Sequence, residues 1–274
     1  MKGRELSIRV DATNPGQFFA SCGLFELADR LSPGAEGWFD GSSFVVASGV
    51  DLTGVLTALI AAPPIALAFV GNELPVKPLI APLGLALGAG QAIDLVLDAW
   101  MTVSLQRNQI TAVGNPPWNF WSGQQTSLRI WMALRQSLIE QMNVGRGICD
   151  ENLFSHRIPL SGRFGFDPGA AWNALDVGFS PNEQRMNVAS SPAVELLAAV
   201  GIQRFRPVMS TDRSTFVYST WGAPLQLCIA PAAACGAIVA GTRSLYRGRV
   251  ISRGSYAALG QSTLLKGSEN GRTA

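Results

Sequence analysis

Leu6, Ile8 and Val10 alternate with Ser7, Arg9 and Asp11, and the alternation ends at Asn14-Pro15-Gly16. A period of two is how a strand buries one face, and Asn-Pro-Gly is turn chemistry. The chain must therefore leave a sheet here and continue as something else. A helix is expected from about Gln17 to Leu31, with Phe18, Cys22, Phe25 and Ala28 on one face and Ser32-Pro33-Gly34 at its end. Residues 37–40 and 44–47 read as two short strands around Gly41-Ser42, a hairpin signal. Asp51 caps a second helix to about Ala62, and residues 65–70 read as a buried strand. Strand, helix, strand, strand, helix, strand is the ferredoxin-like order. The expected class is α+β: a ferredoxin-like N-terminal core elaborated by a long helix and a second α+β part.

The remainder is less regular. Residues 76–90 are punctuated by Pro and Gly and are expected to pair loosely; residues 94–103 read as another strand. Then comes Trp118-Asn119-Phe120-Trp121-Ser122-Gly123-Gln124-Gln125-Thr126-Ser127, three aromatic rings followed by small and amide side chains. A long helix is expected from about Ser122 to Met142, carrying Leu128, Trp131, Leu134, Leu138 and Met142 on one side and Gln125, Arg129, Gln136 and Glu140 on the other. Residues 146–190 read as irregular, 192–200 as a short helix stopped by Gly201, and 206–209 and 215–220 as strands. An Ala-rich segment (225–240) and an Arg-rich one (243–253) follow. The organisation expected is one protein of 274 residues with two lobes, 1–117 and 118–274.

Composition removes several function classes. Apolar residues are 47% and charged residues 15%, enough to bury a core and too apolar for disorder. The most apolar stretch is cut by Pro63-Pro64, so no spanning helix and no membrane partner are expected. The four cysteines, Cys22, Cys149, Cys228 and Cys235, form no CxxC pair, and His156 is the one histidine, so no zinc site or other metal is expected. The first residues do not read as a signal peptide, which places the chain in the cytoplasm with reduced thiols. The sequence lacks GxxxxGK[ST], a strand-linked GxGxxG and HExxH, and no cofactor is expected. Nucleophilic catalysis would have to use His156, and a lone histidine is more often structural or simply solvated.

Charge is unevenly spread. Residues 1–100 carry five basic and ten acidic residues, and residues 101–274 carry sixteen and nine. Of the twenty-one basic residues eighteen are arginine, whose planar fork suits phosphates. Arg243, Arg247, Arg249 and Arg253 lie within eleven residues, and no acid occurs between Asp212 and Glu269. On an unbroken strand the four would form one stripe, which either neutralises nucleic-acid phosphates or blunts an exposed sheet edge. At the helix entrance, Trp118, Phe120 and Trp121 are expected to turn inward as a staple, leaving Gln124, Gln125 and Arg129 outward as a contact surface.

Four segments, in order, resemble a known family: NPGQFFASCGLFELADRL (14–31), FWSGQQTSLRI (120–130), SGRFGFDPGAAWNALDVGFSPNE (161–183) and PAVELLAAVGIQRFRP (192–207). They resemble the small RAMP-like family of CRISPR-associated proteins encoded in type I-U systems, now called I-G. The resemblance covers about residues 5–225; the Arg-rich C-terminal part matches less clearly, and its role rests on charge alone. It implies an RRM/RAMP-like core and a non-catalytic subunit of a Cascade-like, RNA-guided DNA surveillance complex in antiviral defence. In such complexes guide pairing reads sequence while protein subunits hold backbones or read the protospacer-adjacent motif. The implied partners are the other effector subunits, guide RNA, target DNA and the helicase-nuclease. The motif positions are Asn14, Gln17, Gly123, Gln124, Gln125, Arg129, Arg163, Asp167, Asn182, Gln203 and Arg206. The nucleic-acid contacts expected from resemblance and charge together are Gln124, Gln125, Arg129, Arg163, Arg206, Arg243, Arg247, Arg249 and Arg253. Two other classes fit the same residues: a RAMP-type guide-RNA-processing endoribonuclease using His156 or a tyrosine–arginine pair, and a scaffold that touches only protein.

Overall fold

The computed structural model describes residues 4–70, 74–88, 92–114, 118–123, 125–143, 148–160, 162–170, 189–253 and 256–265. The fold is mixed α+β, with five α-helices among the described residues. Strand β1 (Arg4–Arg9) lies against β3 (Ser43–Ser48), and β3 against β2 (Glu36–Asp40), all antiparallel. Ile8 faces Phe44 and Leu6 faces Val46 across this ladder, so the alternating apolar residues are the buried row. Between β1 and β2 runs α1 (Pro15–Leu31), entered through the Asn14 side chain, which accepts the Gln17 N–H, and Pro15 in the first turn. The expected face of α1 is buried, and so are Phe19, Ala20, Leu24 and Leu27 outside it. The helix is central because other elements cover its remaining sides. Helix α2 (Leu52–Ala61) follows β3 and starts at Asp51, whose side chain accepts from Gly54 N–H.

Residues 65–70 do not form one buried strand. They split into β4 (Ile65–Ala66) and β5 (Phe69–Val70), with Ile65 and Phe69 exposed. β5 pairs with β6 (Leu74–Pro75), and β4 with β7 (Leu83–Leu85), which also holds β8 (Leu95–Leu97). The physical reason is the partner strip: Pro75, Pro78 and Pro82 lack N–H donors, so no long ladder can form along it. Residues 94–103 are likewise interrupted. β8 stops, the chain turns at 98–100, and β9 (Met101–Gln106) opens a hairpin with β10 (Gln109–Gly114). The turn is pinned by Gln203, whose Oε1 accepts from the N–H groups of Asp98 and Ala99, each at 2.9 Å.

Helix α3 (Ser127–Asn143) begins later than Ser122. Gly123 at φ 70° keeps the chain out of the helix, and Thr126 caps it by accepting the Arg129 N–H. Ile130, Trp131, Leu134 and Leu138 form its buried stripe. β11 (Ile158–Pro159) pairs with β12 (Ala189–Ser190), which leads into α4 (Pro192–Gly201), buried along its whole length between α1 and α3. The last sheet contains β13 (Val208–Met209), β14 (Thr215–Ser219), β16 (Leu245–Arg253), β17 (Tyr256–Leu259) and β18 (Thr263–Leu265). Between β14 and β16 lie β15 (Leu225–Gln226) and α5 (Ala230–Ala234). β15 crosses back to pair with β2, and Trp221 donates from Nε1 to the Gly37 carbonyl at 2.7 Å, so C-terminal chain completes the edge of the first sheet. Among the described residues no helix is long and apolar enough to cross a membrane.

Candidate nucleic-acid interface

Strand β16 is hydrogen-bonded along both sides. β14 holds one side through residues 245–249, while β17 and then β18 hold the other. Around Arg247 and Arg249 the stripe therefore does not blunt a sheet edge: over residues 245–249 β16 is a central strand. Arg247 and Arg249 are two residues apart and project from the same face. Both are exposed, and both line a groove of about 360 Å³ with Val208, Thr215 and Val217. Across the ladder Arg247 pairs with Val217 and Arg249 with Thr215, so their neighbours are small or apolar and uncharged.

The stripe is shorter than four. Arg243 precedes the strand, is half-buried, and donates from Nε to Ser219 Oγ at 3.2 Å, because the chain there is still a loop folding over β14. Arg253 closes β16, its backbone paired with Tyr256. Arg206 is exposed elsewhere, 3.8 Å from Asp98, and its Nε donates to the Gln203 carbonyl.

At the entrance of α3 the aromatic cluster turns inward, as expected of a staple. Trp118, Phe120 and Trp121 are all buried. Trp121 donates to the Leu79 carbonyl at 2.9 Å and meets Trp100 and Phe164 edge-on; Trp118 does the same with Phe19, Phe120 and Phe216. No ring of this cluster is available to stack on a base. Arg129 is exposed one turn into the helix and Gln125 is half-buried, whereas Gln124 lies outside the described residues, as does Asn182.

Four other motif positions make structural hydrogen bonds. Asn14 caps α1, Gln17 accepts the Asp11 N–H at 2.8 Å, and Gln203 holds the 98–100 turn. Asp167 is fully buried. Its Oδ1 accepts from Arg157 Nη2 at 3.0 Å, and its Oδ2 from Ser190 Oγ at 3.2 Å and the Ser191 N–H at 3.1 Å. Beside it sits Glu195, also fully buried, accepting from the N–H groups of Asp167 and Gly165, each at 2.9 Å. Sequence reasoning passed over Glu195. The available signal was an acid inside an otherwise apolar helix, PAVELLAAVG.

Burial pushes the Glu195 carboxyl up to about 7, outweighing the Asp167 and Gly165 backbone donors and the half-buried Arg163 guanidinium. The native state then keeps a proton that the unfolded chain has released. This contribution is fully present below about pH 4.5 and is lost as pH rises to about 7, up to about 3 kcal/mol. Denaturant melts at stepped pH are expected to show that decline. Glu195→Gln should flatten it while lowering stability throughout, since its amide NH2 would face a backbone N–H.

A second cleft, of about 480 Å³, is lined by Arg9, Asp11, Gln17, Glu151, Ser155 and Tyr246, among others. It brings a tyrosine and an arginine together. Burial raises the Tyr246 phenol above its ordinary range. His156 follows Ser155 in the chain but does not line the cleft. Among the described residues no group of three His, Cys, Asp or Glu side chains is placed to hold a metal ion. No protein-family model matches this chain, and no curated protein or solved structure does.

Proposed function

We propose that this chain is a non-catalytic subunit of a type I-U (I-G) CRISPR RNA-guided DNA surveillance complex, holding nucleic-acid backbone on the outer face of its C-terminal sheet. The observation that carries the reading is the pair Arg247 and Arg249, exposed together on a central strand with no edge to protect. Two guanidiniums spaced about 7 Å apart along a strand suit successive phosphates, and the small side chains around them let a backbone approach. The resemblance supplies the biological class. The parts of its four segments that lie among the described residues pack around α1 and α4 as scaffold, and contact falls to Arg129, Arg247 and Arg249. In the same reading the N-terminal part is a ferredoxin-like core; its support is the β1–β3–β2 order with α1 after β1 and α2 after β3. Sister subunits, guide RNA, target DNA and the helicase-nuclease are the partners, and the place of action is the cytoplasm near the protospacer-adjacent motif.

The test is co-purification with the neighbouring subunits and guide RNA, then target-duplex binding across a salt series. Omitting this chain should abolish tight target binding. Arg247→Ala/Arg249→Ala should assemble normally yet lower the slope of log affinity against log salt by about 2. Failure to assemble would overturn the reading. So would cleavage of guide precursor by the chain alone that is lost in Tyr246→Phe, which would make the Arg9–Tyr246 cleft an endoribonuclease site. Target binding unchanged in slope would remove the Arg247 and Arg249 contact and favour a protein scaffold.

A further inference from the structure

Strand β16 has a second side. Tyr246 precedes Arg247 and so projects from the opposite face, where it lines the cleft of about 480 Å³ together with Arg9, Asp11, Gln17, Glu151 and Phe154. The end of β1, the turn between β2 and β3 and residues 151–155 form the other walls. The apolar part of the lining is aromatic: Phe154 is buried, and the half-buried Tyr246 ring stacks on Tyr218 at 5.4 Å and 16°. The charged part is unpaired. Arg9, Asp11 and Glu151 are exposed, and among the described residues none of them is in an ion pair. Asp11 Oδ1 accepts the Thr13 N–H and hydroxyl, at 2.9 and 2.6 Å, which leaves Oδ2 open. Gln17 Oε1 accepts the Asp11 N–H, which leaves its NH2 as a donor.

We infer that this cleft binds a free basic α-amino acid, with arginine the best fit. The lining selects by elimination. An apolar ligand would strip water from three charges and give them nothing in return. A phosphate or other simple anion would meet one guanidinium against two carboxylates, a lining of net charge −1. A metal ion would lack a set of three ligands, since no such group occurs among the described residues. A zwitterion that carries one further positive charge answers every group. Its α-carboxylate takes the planar fork of Arg9, with the Gln17 NH2 beside it. Its α-ammonium takes Asp11 Oδ2, and its side-chain cation takes Glu151. A guanidinium is flat and weakly hydrated, so it also lies on an aromatic ring as an ammonium does not, which is what Tyr246 offers. The bound ligand, at +1, cancels the charge of the lining. The inference does not depend on the nucleic-acid reading: it uses the opposite face of β16 from Arg247 and Arg249.

The experiment is calorimetric titration of the full chain with four probes. They are L-arginine, agmatine (no carboxylate), L-citrulline (a neutral isostere of the side chain) and N-acetyl-L-argininamide (an arginine as it stands inside a protein). L-arginine should bind saturably, and each of the other three roughly tenfold or more weakly, because each loses a charged contact. Two exposed substitutions then locate the contacts. Arg9→Met should weaken L-arginine and erase its advantage over agmatine, while keeping its advantage over citrulline. Glu151→Gln should do the converse. Both proteins should melt as wild type does without ligand, since neither side chain is buried. Such crossed losses identify which group meets which, and a general weakening of the fold would not produce them. The inference is overturned if L-arginine shows no saturable binding in the millimolar range, or if its binding survives both substitutions. Binding of N-acetyl-L-argininamide as tight as that of L-arginine also overturns it, and assigns the cleft to an arginine side chain of a protein partner.

Discussion

Gly23→Ala is expected to destabilise the protein by at least about 3 kcal/mol, and Gly201→Ala by a similar amount. A Cβ at Gly23 would stand 1.9 Å from the Leu197 carbonyl oxygen, and one at Gly201 would stand 2.0 Å from that of Phe19. These obstacles are backbone atoms of helices buried on every side, so no side chain can rotate away and the helices must separate. Separation would open the most heavily packed junction of the molecule, where α4 fills the space between α1 and α3. It would also pull on Glu26, which is buried on α1 and holds Arg30 at 2.7 Å and Arg204, just beyond α4, at 2.6 Å. A thermal melt should fall by roughly 10 °C, or the variant should be recovered only as aggregate. Gly34→Ala is the control: a Cβ there meets nothing within 4 Å, and at φ 93° only local strain remains. A Gly23→Ala protein that melts within a degree or two of wild type would show that the two helices do not cross at these glycines.

Asp167→Ala is expected to cost about 3–5 kcal/mol. The Asp167 carboxylate gathers donors from four separate parts of the chain: Asn14 before α1, Arg157 before β11, Gly169 in its own turn, and Ser190 and Ser191 before α4. Removing it leaves the buried Ser190 hydroxyl and Ser191 N–H without their acceptor, while the exposed Arg157 guanidinium turns to water. Asp167→Asn should recover part of the loss, because its amide oxygen can still accept from one side while its NH2 faces donors on the other. Denaturant unfolding of the three proteins at pH 7 measures the order wild type, Asn, Ala. An alanine variant as stable as wild type would mean that water replaces the carboxylate, and the buried network would not be what joins these segments.

Much of the fold was legible because its signals are local. Alternation at residues 6–10, the Asn14-Pro15 start of α1, the Gly41-Ser42 turn and the Asp51 cap each act within a few residues, and each stands where the residue pattern puts it. Residues 65–70 failed as a strand because a strand needs a partner, and proline in a distant strip removed the donors. The late start of α3 has a similar origin: Gly123 takes a left-handed conformation while the preceding rings are drawn into a core assembled from residues 19, 79, 100, 164 and 216.

Of the candidate site, the sequence determined which residues carry positive charge and that four arginines fall on odd positions. Only the tertiary structure decided that Arg247 and Arg249 share an open face, that Arg243 bends back to Ser219, and that β16 is a central strand rather than an edge. It also decided that Asn14, Asp167 and Gln203 hold the fold together while Gln17 lines a cleft. A polar residue in a motif looks the same in sequence whether its hydrogen bonds go to a ligand or to a side chain far along the chain; Asn14 and Asp167 are 153 apart. Helix caps and turns are fixed by bonds to near neighbours, so sequence carries them. Which face stays open depends on what the rest of the chain packs against, and that is settled only when the core closes.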